Sequence, residues 1–350
     1  MKRRMSKSTV SSLSNYGLVI ALFIIVQICS AAGVLTNQIE GLLIPVCIYV
    51  IAAISLNLVV GISGELSLGH AGFMCVGAFS SALFSKVTED SMTTGPRFLI
   101  AIVIGALVAA LFGFLIGIPV LRLRGDYLAI VTLAFGEIIK NILNIVYLGR
   151  DENGFHLARE VGGLHMSPEG ETLDKGAQGI SGTPRDSSFL VGIILILVTL
   201  FIVQNIINSR TGRAIMAIRD NRIAAESIGI NVTKYKLLAF TVSAALAGVA
   251  GALYSHNLSS LTVSKFDYNT SILILVYVVL GGIGSIKGSI IATIILYVLP
   301  EMLRFLQDYR MLIYAVVLII MMLFNWAPGA IAWRERIVEK FKRNKTKGVS

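Results

Sequence analysis

Ten stretches of this chain are apolar enough to sit in lipid, and together they leave little polypeptide for anything else. A bilayer core takes about 20 residues of helix to cross. Tyr16–Leu35, Leu42–Val60, Phe98–Ile118 and Phe189–Ile207 reach that length with no charged residue. Tyr127–Leu148 reaches it while carrying Glu137 and Lys140, and Leu237–Ser255 is a further clear run. Leu66–Phe84, Ser271–Leu280, Ser289–Leu303 and Met311–Trp326 are shorter or weaker. Of the 350 residues 55% are hydrophobic and 14% charged, whereas a soluble globular chain carries about 25% charged residues to cover its surface. An ordinary cytosolic enzyme, a disordered regulator and a disulfide scaffold are thereby excluded. Cys29, Cys47 and Cys75 all lie in apolar stretches and read as small buried hydrophobes.

Charge orients the spans. With ten spans and both termini inside, twenty Lys and Arg fall on the inner side and nine on the outer, with Lys140 left in a span. Thirteen acids lie outside against six inside, Glu137 being in a span. This is the bias that membrane insertion imposes on cytoplasmic loops. It also accounts for the net charge of +10 without a nucleic-acid partner, and none is expected. The start of the chain has the outline of a secretory signal, but its apolar run continues to Leu35, longer than most signal cores. An uncleaved first span is the expectation. The layout is then a cytoplasmic tail at residues 1–15, a transmembrane domain at 16–326 and a basic cytoplasmic tail at 327–350. An outer loop covers 149–188 and an inner loop 208–236.

Motifs for chemistry are missing. Near Gly281–Ser289 the phosphate-loop pattern fails because position 286 is Ile, and the dinucleotide pattern fails because Lys287 stands where its third glycine belongs. His70, His156, His165 and His256 have no metal-ligand spacing. No cofactor bound by this chain is expected, and no catalytic residue.

Packing and polar signals are present instead. Gly105, Ala109, Gly113 and Gly117 put a smooth stripe on one span, and Ala244, Gly248 and Ala252, with Ala247 and Gly251, do so on another. Such stripes allow backbones to approach where no hydrophobic effect drives helices together. They read as a tight bundle, or more sharply as a sliding interface. Segment Gly61–Gly72 has four glycines, Gly69 among them, together with Glu65 and His70. It is either a helix broken beside a pathway or a cytoplasmic turn with Glu65 solvated. Glycines also interrupt Gly281–Gly288, and a pair of broken segments can mark an internally repeated transporter. Glu137 falls mid-span with Lys140, Asn141 and Asn144 on its face, either lining a pathway or holding helices together. Inside, Ala214–Ile228 reads as one short helix, with Arg222 and Glu226 paired at i,i+4 and Gly229 as its stop. Ile215, Met216 and Ile218 offer apolar anchors for a cytosolic partner, the plainer alternative being a charged loop on lipid headgroups.

Four segments carry a resemblance: Gly64–Phe73, Leu121–Glu137, Gly212–Asp220 continuing through Ala224–Asn231, and Gly281–Ser285 with Leu299–Arg304. Together they resemble branched-chain amino acid ABC transporter permeases of the LivM type. Two positions depart from that pattern: Lys175-Gly-Ala177 stands for the usual Thr-Gly-Gly, and Ser289 for a common proline, a change expected to affect only a helix start. The resemblance implies a multi-pass protein of the bacterial inner membrane that forms half of a heterodimeric pore. It also implies a second permease, two cytosolic ATP-binding subunits and an extracytoplasmic solute-binding protein. The loop from Thr211 to Gly229 is similar to the family's ATPase-contacting segment, with Ala225, Glu226 and Gly229 as coupling positions.

The expected fold is therefore an all-α polytopic membrane protein of about ten helices, some short or broken. The expected function is an importer permease for small apolar amino acids, with ATP bound by partners and not by this chain. Gly212, Arg213, Arg219, Arg222, Ala225, Glu226 and Gly229 are the coupling candidates. Glu65, Gly69, His70, Glu137, Lys140 and Asn141 are the pathway candidates. A urea or short-amide importer fits the same motifs. An ion-gradient transporter coupled through Glu137 remains a rival from another class.

Overall fold

The apolar runs fold as helices whose ends are set by glycine and by capping side chains. The computed structural model describes residues 7–33, 36–121, 126–152, 154–165, 170–305 and 309–326. Along them run α1 (Lys7–Ala31), α2 (Asn37–Asn57), α3 (His70–Val87), α4 (Thr94–Val120), α5 (Asp126–Ile145) and α6 (Phe189–Asn208). Then come α7 (Arg210–Asp220), α8 (Arg222–Ser227), α9 (Val232–Ser255), α10 (Tyr268–Gly281), α11 (Ile286–Met302) and α12 (Arg310–Trp326). The tail at 327–350, the first six residues and the inner-loop cations Arg122 and Arg124 lie outside the described residues.

Among the described residues, seven helical segments are long and apolar enough to cross a membrane: Leu13–Ala31, Asn37–Ser63, Thr94–Val120, Tyr127–Ile145, Phe189–Asn208, Val232–Ser255 and Val263–Gly281. The other three expected spans fold as α3, α11 and α12. The last two have 17 residues each, while α3 has 18 and dilutes its apolar character with His70, Ser80, Ser81, Ser85 and Lys86. The run expected to reach Leu148 leaves its helix at Ile145, because Tyr147 onward joins a strand.

At the centre stands α2, buried from Cys47 to Asn57 except for Tyr49 near its middle, packed on α6, α9, α10 and α11. Beside it, α3, α4 and α9 form a triangle of backbones in close contact. Here the small-residue stripes meet each other. A Cβ on Gly113 would lie 2.4 Å from the Ala244 methyl, and one on Gly248 would lie 2.5 Å from the Ala109 methyl and 2.6 Å from the Gly105 carbonyl. From α3, Gly77 abuts Gly248 in the same way. Dispersion between backbones needs this proximity, and a larger residue forfeits it.

The bundle has two unlike ends, one carrying α7 and α8 and the other small sheets. At the sheet end β1 (Tyr147–Asp151), β2 (Gly154–Ala158) and β3 (Glu171–Lys175) pair antiparallel in the order β2-β1-β3. β4 (Ile180–Ser181) pairs with β5 (Ser260–Leu261). The expectation of an all-α chain is corrected here: the bulk is helical, but polar, glycine-rich segments outside the helices satisfy their backbone groups as ladders. Ion pairs fasten this layer to the helices. Arg97 at the start of α4 meets Asp186 at 2.8 Å, both nearly buried, and Lys86 of α3 meets Glu171 at 2.9 Å. His256, buried past the end of α9, reaches Ser85 at 2.7 Å and meets the Phe98 ring in a tilted contact.

Asp174 of β3 is buried, its carboxylate accepting the Gly176 N–H, and burial raises its pKa to about 7. The folded layer therefore holds a proton that the unfolded chain releases near the ordinary carboxylate value. Stability of the layer should fall as pH rises from about 4 to about 7, then level off. Hydrogen exchange of the β1–β3 amides should show that loss of protection, and Asp174→Asn should abolish it. In the helix triangle, Gly248→Val should cost about 1–3 kcal/mol or more through overpacking, read as a lower unfolding temperature in detergent. Gly95→Ala, whose Cβ meets nothing within 4 Å, is the control that should leave it unchanged.

Candidate functional site

Between α2 and α3 the chain stops being a helix while still buried. After Asn57 the hydrogen-bond ladder widens into a π-helical turn, Leu58–Ser63, every residue of it buried. Gly64 then takes a left-handed conformation (φ 74°) that a side chain disfavours, and Glu65–Gly69 run without helix until α3 begins at His70. Of the two readings of this segment, a broken helix is what the structure contains. A break among apolar residues leaves backbone groups without ladder partners, which is tolerated only where protein or water satisfies them.

Side chains from three other helices meet that need. The Gly61 carbonyl accepts from Arg219 Nη1 of α7 at 3.0 Å. Leu68 N–H donates to Thr132 Oγ1 of α5, and Ala71 N–H to Ser271 Oγ of α10, both at 3.0 Å. Glu65 forms an ion pair with Lys236 of α9, each side chain about one-eighth exposed (13% and 12%) and far from the solvated state that was the alternative. A second break, between α10 and α11, lies against the first: a Cβ on Gly61 would sit 2.4 Å from the Gly284 nitrogen. Asn57 joins the two, its Oδ1 accepting Gly284 N–H at 2.9 Å and its Nδ2 donating to Ser289 Oγ of α11 at 3.0 Å. Ser289 thus does more than begin a helix, since its hydroxyl receives a bond from the other half of the fold.

The remaining pathway candidates divide. A Cβ on Gly69 would lie 2.1 Å from the Thr132 carbonyl, so α5 passes there only because the residue is glycine. His70 is buried at 2% exposure, its Nε2 2.7 Å from Ser55 Oγ of α2, and so fixes the start of α3. Glu137 and Lys140 pair at 2.9 Å on α5, with side chains 29% and 21% exposed. Asn141 beside them is exposed. The structure therefore joins Glu65, Gly69 and His70 in one cluster and places Glu137, Lys140 and Asn141 further along α5, on a face only partly covered.

The expected single helix Ala214–Ile228 is two. Asn221 is extended (φ −154°, ψ 103°) and its side chain caps α8 by accepting from Ala224 N–H at 3.0 Å. An Asn that captures a backbone donor competes with helix continuation, and that signal was present in the sequence. Gly212 sits where a Cβ would be 2.2 Å from the Ile206 carbonyl, which permits the sharp turn from α6 into α7. Arg213 donates to the Asn208 carbonyl at 3.3 Å. Arg222 and Glu226 pair at 2.9 Å, and Gly229 (φ 85°) ends α8 as expected. The apolar anchors are corrected. Ile215 and Ile218 are buried against the bundle, and Ala225 joins Ile218 and Val232 in a small core. The apolar side chains presented outward are Ile223 and Ile228, 81% and 75% exposed, an exposure that periodicity alone did not reveal.

A multi-pass helical bundle with two apposed breaks and an outward helix pair tied to them is the architecture of a membrane transport component. The chain matches the family model described as "Branched-chain amino acid transport system / permease component" over residues 38–322, and it belongs to that family. It is 37% identical over 314 residues to the high-affinity branched-chain amino acid transport system permease protein LivM of Escherichia coli K12, covering 86% of this chain and 71% of that one. The protein of the same name from Salmonella typhimurium is 36% identical over 311 residues, with the same coverage. The permease protein LivH of E. coli K12 is 25% identical over 254 residues, covering 71% of this chain and 79% of its own. No solved structure matches.

The Glu65–Lys236 pair gives the site a direct test. Glu65→Gln leaves the lysine charge poorly compensated in a mostly buried place and should cost about 2 kcal/mol, less than a fully buried pair would. The exchange Glu65→Lys with Lys236→Glu should recover most of that loss in thermal unfolding of the detergent-solubilised protein. Equal destabilisation by the single and the exchanged variants would deny the pair its structural role.

Proposed function

We propose that this chain is the permease subunit of an ATP-binding-cassette importer for branched-chain, or other small apolar, amino acids. It would cross the bacterial inner membrane ten times with both termini cytoplasmic, as the partition of Lys and Arg favours. α7 and α8 then face the cytoplasm and the β1–β3 layer faces outward, toward a solute-binding protein that delivers the cargo. ATP is bound and hydrolysed by two cytosolic partner subunits, and a second permease completes the membrane pathway.

One observation carries the coupling: the guanidinium of Arg219 joins the cytoplasmic helix pair to the Gly61 carbonyl inside the broken helix. An ATPase gripping α8 through Ile223 and Ile228 pushes on α7 through their shared core of Ile218 and Ala225. α7 in turn moves the break through Arg219, and Asn57 passes the displacement to the second break. Interfaces of this kind switch between discrete packings rather than deform smoothly. Glu137, Lys140 and Asn141 line the route on α5, and the route binds its cargo weakly because the binding protein has already chosen it.

Proteoliposomes test the reading. The assembled complex should take up leucine only with ATP and binding protein present, and this chain alone should take up none. Concentrative uptake by the chain alone, driven by an ion gradient, would end it. Ile223→Asp should weaken binding of the ATPase subunits by about tenfold to a hundredfold, the loss of one central apolar anchor, measured by co-purification at graded concentrations.

A further inference from the structure

Two neighbouring helices of the bundle do not close on each other. α4 packs chiefly on α3 and α9, and α6 on α1 and α2. Between α4 and α6 a groove of about 630 Å³ is left, floored by Leu246 and Val249 of α9. Its walls run from Phe98 to Leu107 on α4 and from Val191 to Ile202 on α6. Below the mouth the lining is apolar except for the buried Thr199. Leu99, Val103 and Leu107 on one wall, and Ile194 and Val198 on the other, are exposed, so the groove opens sideways out of the bundle. At about 1.5 Å per residue the walls are about 14–17 Å deep. One leaflet contributes about 15 Å to a hydrocarbon core of about 30 Å. Deeper along α4 the groove ends, because Gly113 closes on Ala244 of α9.

The mouth is chemically different. Thr94, Gly95 and Asp186 border it. Arg97, 5% exposed, holds Asp186 at 2.8 Å, and among the described residues its Nε has no hydrogen-bond partner. The Thr93 side chain does not cap α4, so the first N–H groups of a 27-residue helix lack that partner. A cation beside an uncapped helix start suits a phosphate.

We infer that this groove holds one acyl chain of a membrane phospholipid, with the lipid phosphate at the first turn of α4 beside Arg97. The occupant follows from the depth of the groove and its two chemistries. An amino acid carries two charges that the slot below the mouth could not pair. A partner's transmembrane helix needs about 20 residues to cross both leaflets, whereas this groove stops after one. A phospholipid of that leaflet matches the apolar slot and the polar mouth together. Its acyl chain supplies dispersion contacts that α4 and α6 do not make with each other along the groove, and so ties the two helices. The inference needs only that the bundle lies in a bilayer, whatever cargo it moves.

The full-length chain in phosphatidylethanolamine and phosphatidylglycerol liposomes tests this, with a trace of phospholipid bearing a diazirine midway along one acyl chain. Irradiation and peptide mass mapping should find adducts concentrated on residues 98–107 of α4 and 191–202 of α6. They should stand severalfold above those at residues 111–118 of α4, which include exposed apolar side chains outside the groove. Ala106→Phe and, separately, Val198→Phe fill the groove from opposite walls and should cut its adducts severalfold, while Leu111→Phe should leave them unchanged. Phospholipid added back to delipidated protein in detergent should raise the unfolding temperature of the unsubstituted chain more than that of either filled variant. Adducts spread evenly over all exposed apolar faces, or unaltered by both fillings, overturn the site and leave bulk lipid only. Adducts at 111–118 with none in the groove mean that another polypeptide covers it, which overturns the occupant. Labelled diacylglycerol, which lacks the phosphate, should label the groove less than labelled phospholipid does; equal labelling overturns the placement of the phosphate.

Discussion

The structure depends on one constraint: a backbone that leaves its helix among apolar residues must find hydrogen-bond partners elsewhere in the protein. The π-turn after Asn57 and the extended run that follows Gly64 create that demand. Arg219, Thr132 and Ser271 answer it from three helices, while Asn57 serves the second break. Each partner is a side chain on a separate element, so the break cannot move without α5, α7, α10 and α11 responding. The arrangement makes a local irregularity into a junction. A fully helical α2–α3 connection would need none of these side chains and would link nothing.

Rigid and movable contacts are divided accordingly. The α3–α4–α9 triangle is glued by methyls and glycines at distances that exclude any larger side chain, and dispersion contacts of that density resist deformation. The junction around Gly61 and Gly284 is built from hydrogen bonds and one partly buried ion pair, whose geometry can be exchanged for another at small net cost. Under the proposed coupling, motion delivered to α7 and α8 would thus reach the break while the triangle holds its shape.

Legibility in the sequence followed the length scale of each interaction. The helices, the small-residue stripes, the Arg222–Glu226 pair and the Gly229 stop all arise from neighbours within a turn or a heptad, and residue spacing exposes them. The break was visible as four glycines, but its partners were not: Arg219 lies 158 residues from Gly61 and Ser289 lies 232 from Asn57. The α7–α8 pair shows the same limit. Ile215, Ile218 and Ile223 are chemically alike, and only the direction of the helix axis against the bundle decides which is buried.

The sequence by itself determined that this chain lives in lipid, which way its charges prefer to lie, where most helices run and to which family of permeases it belongs. Those follow from local hydropathy, charge and motifs, which need no knowledge of the fold. Tertiary structure alone decided that the two glycine breaks meet, that Glu65 is paired rather than solvated, and that Ile223 and Ile228 point outward. It also decided that the polar segment from Tyr147 to Lys175 builds a sheet. The physical reason is that those features are satisfied by groups far apart along the chain, and only packing chooses which of many chemically adequate partners arrives.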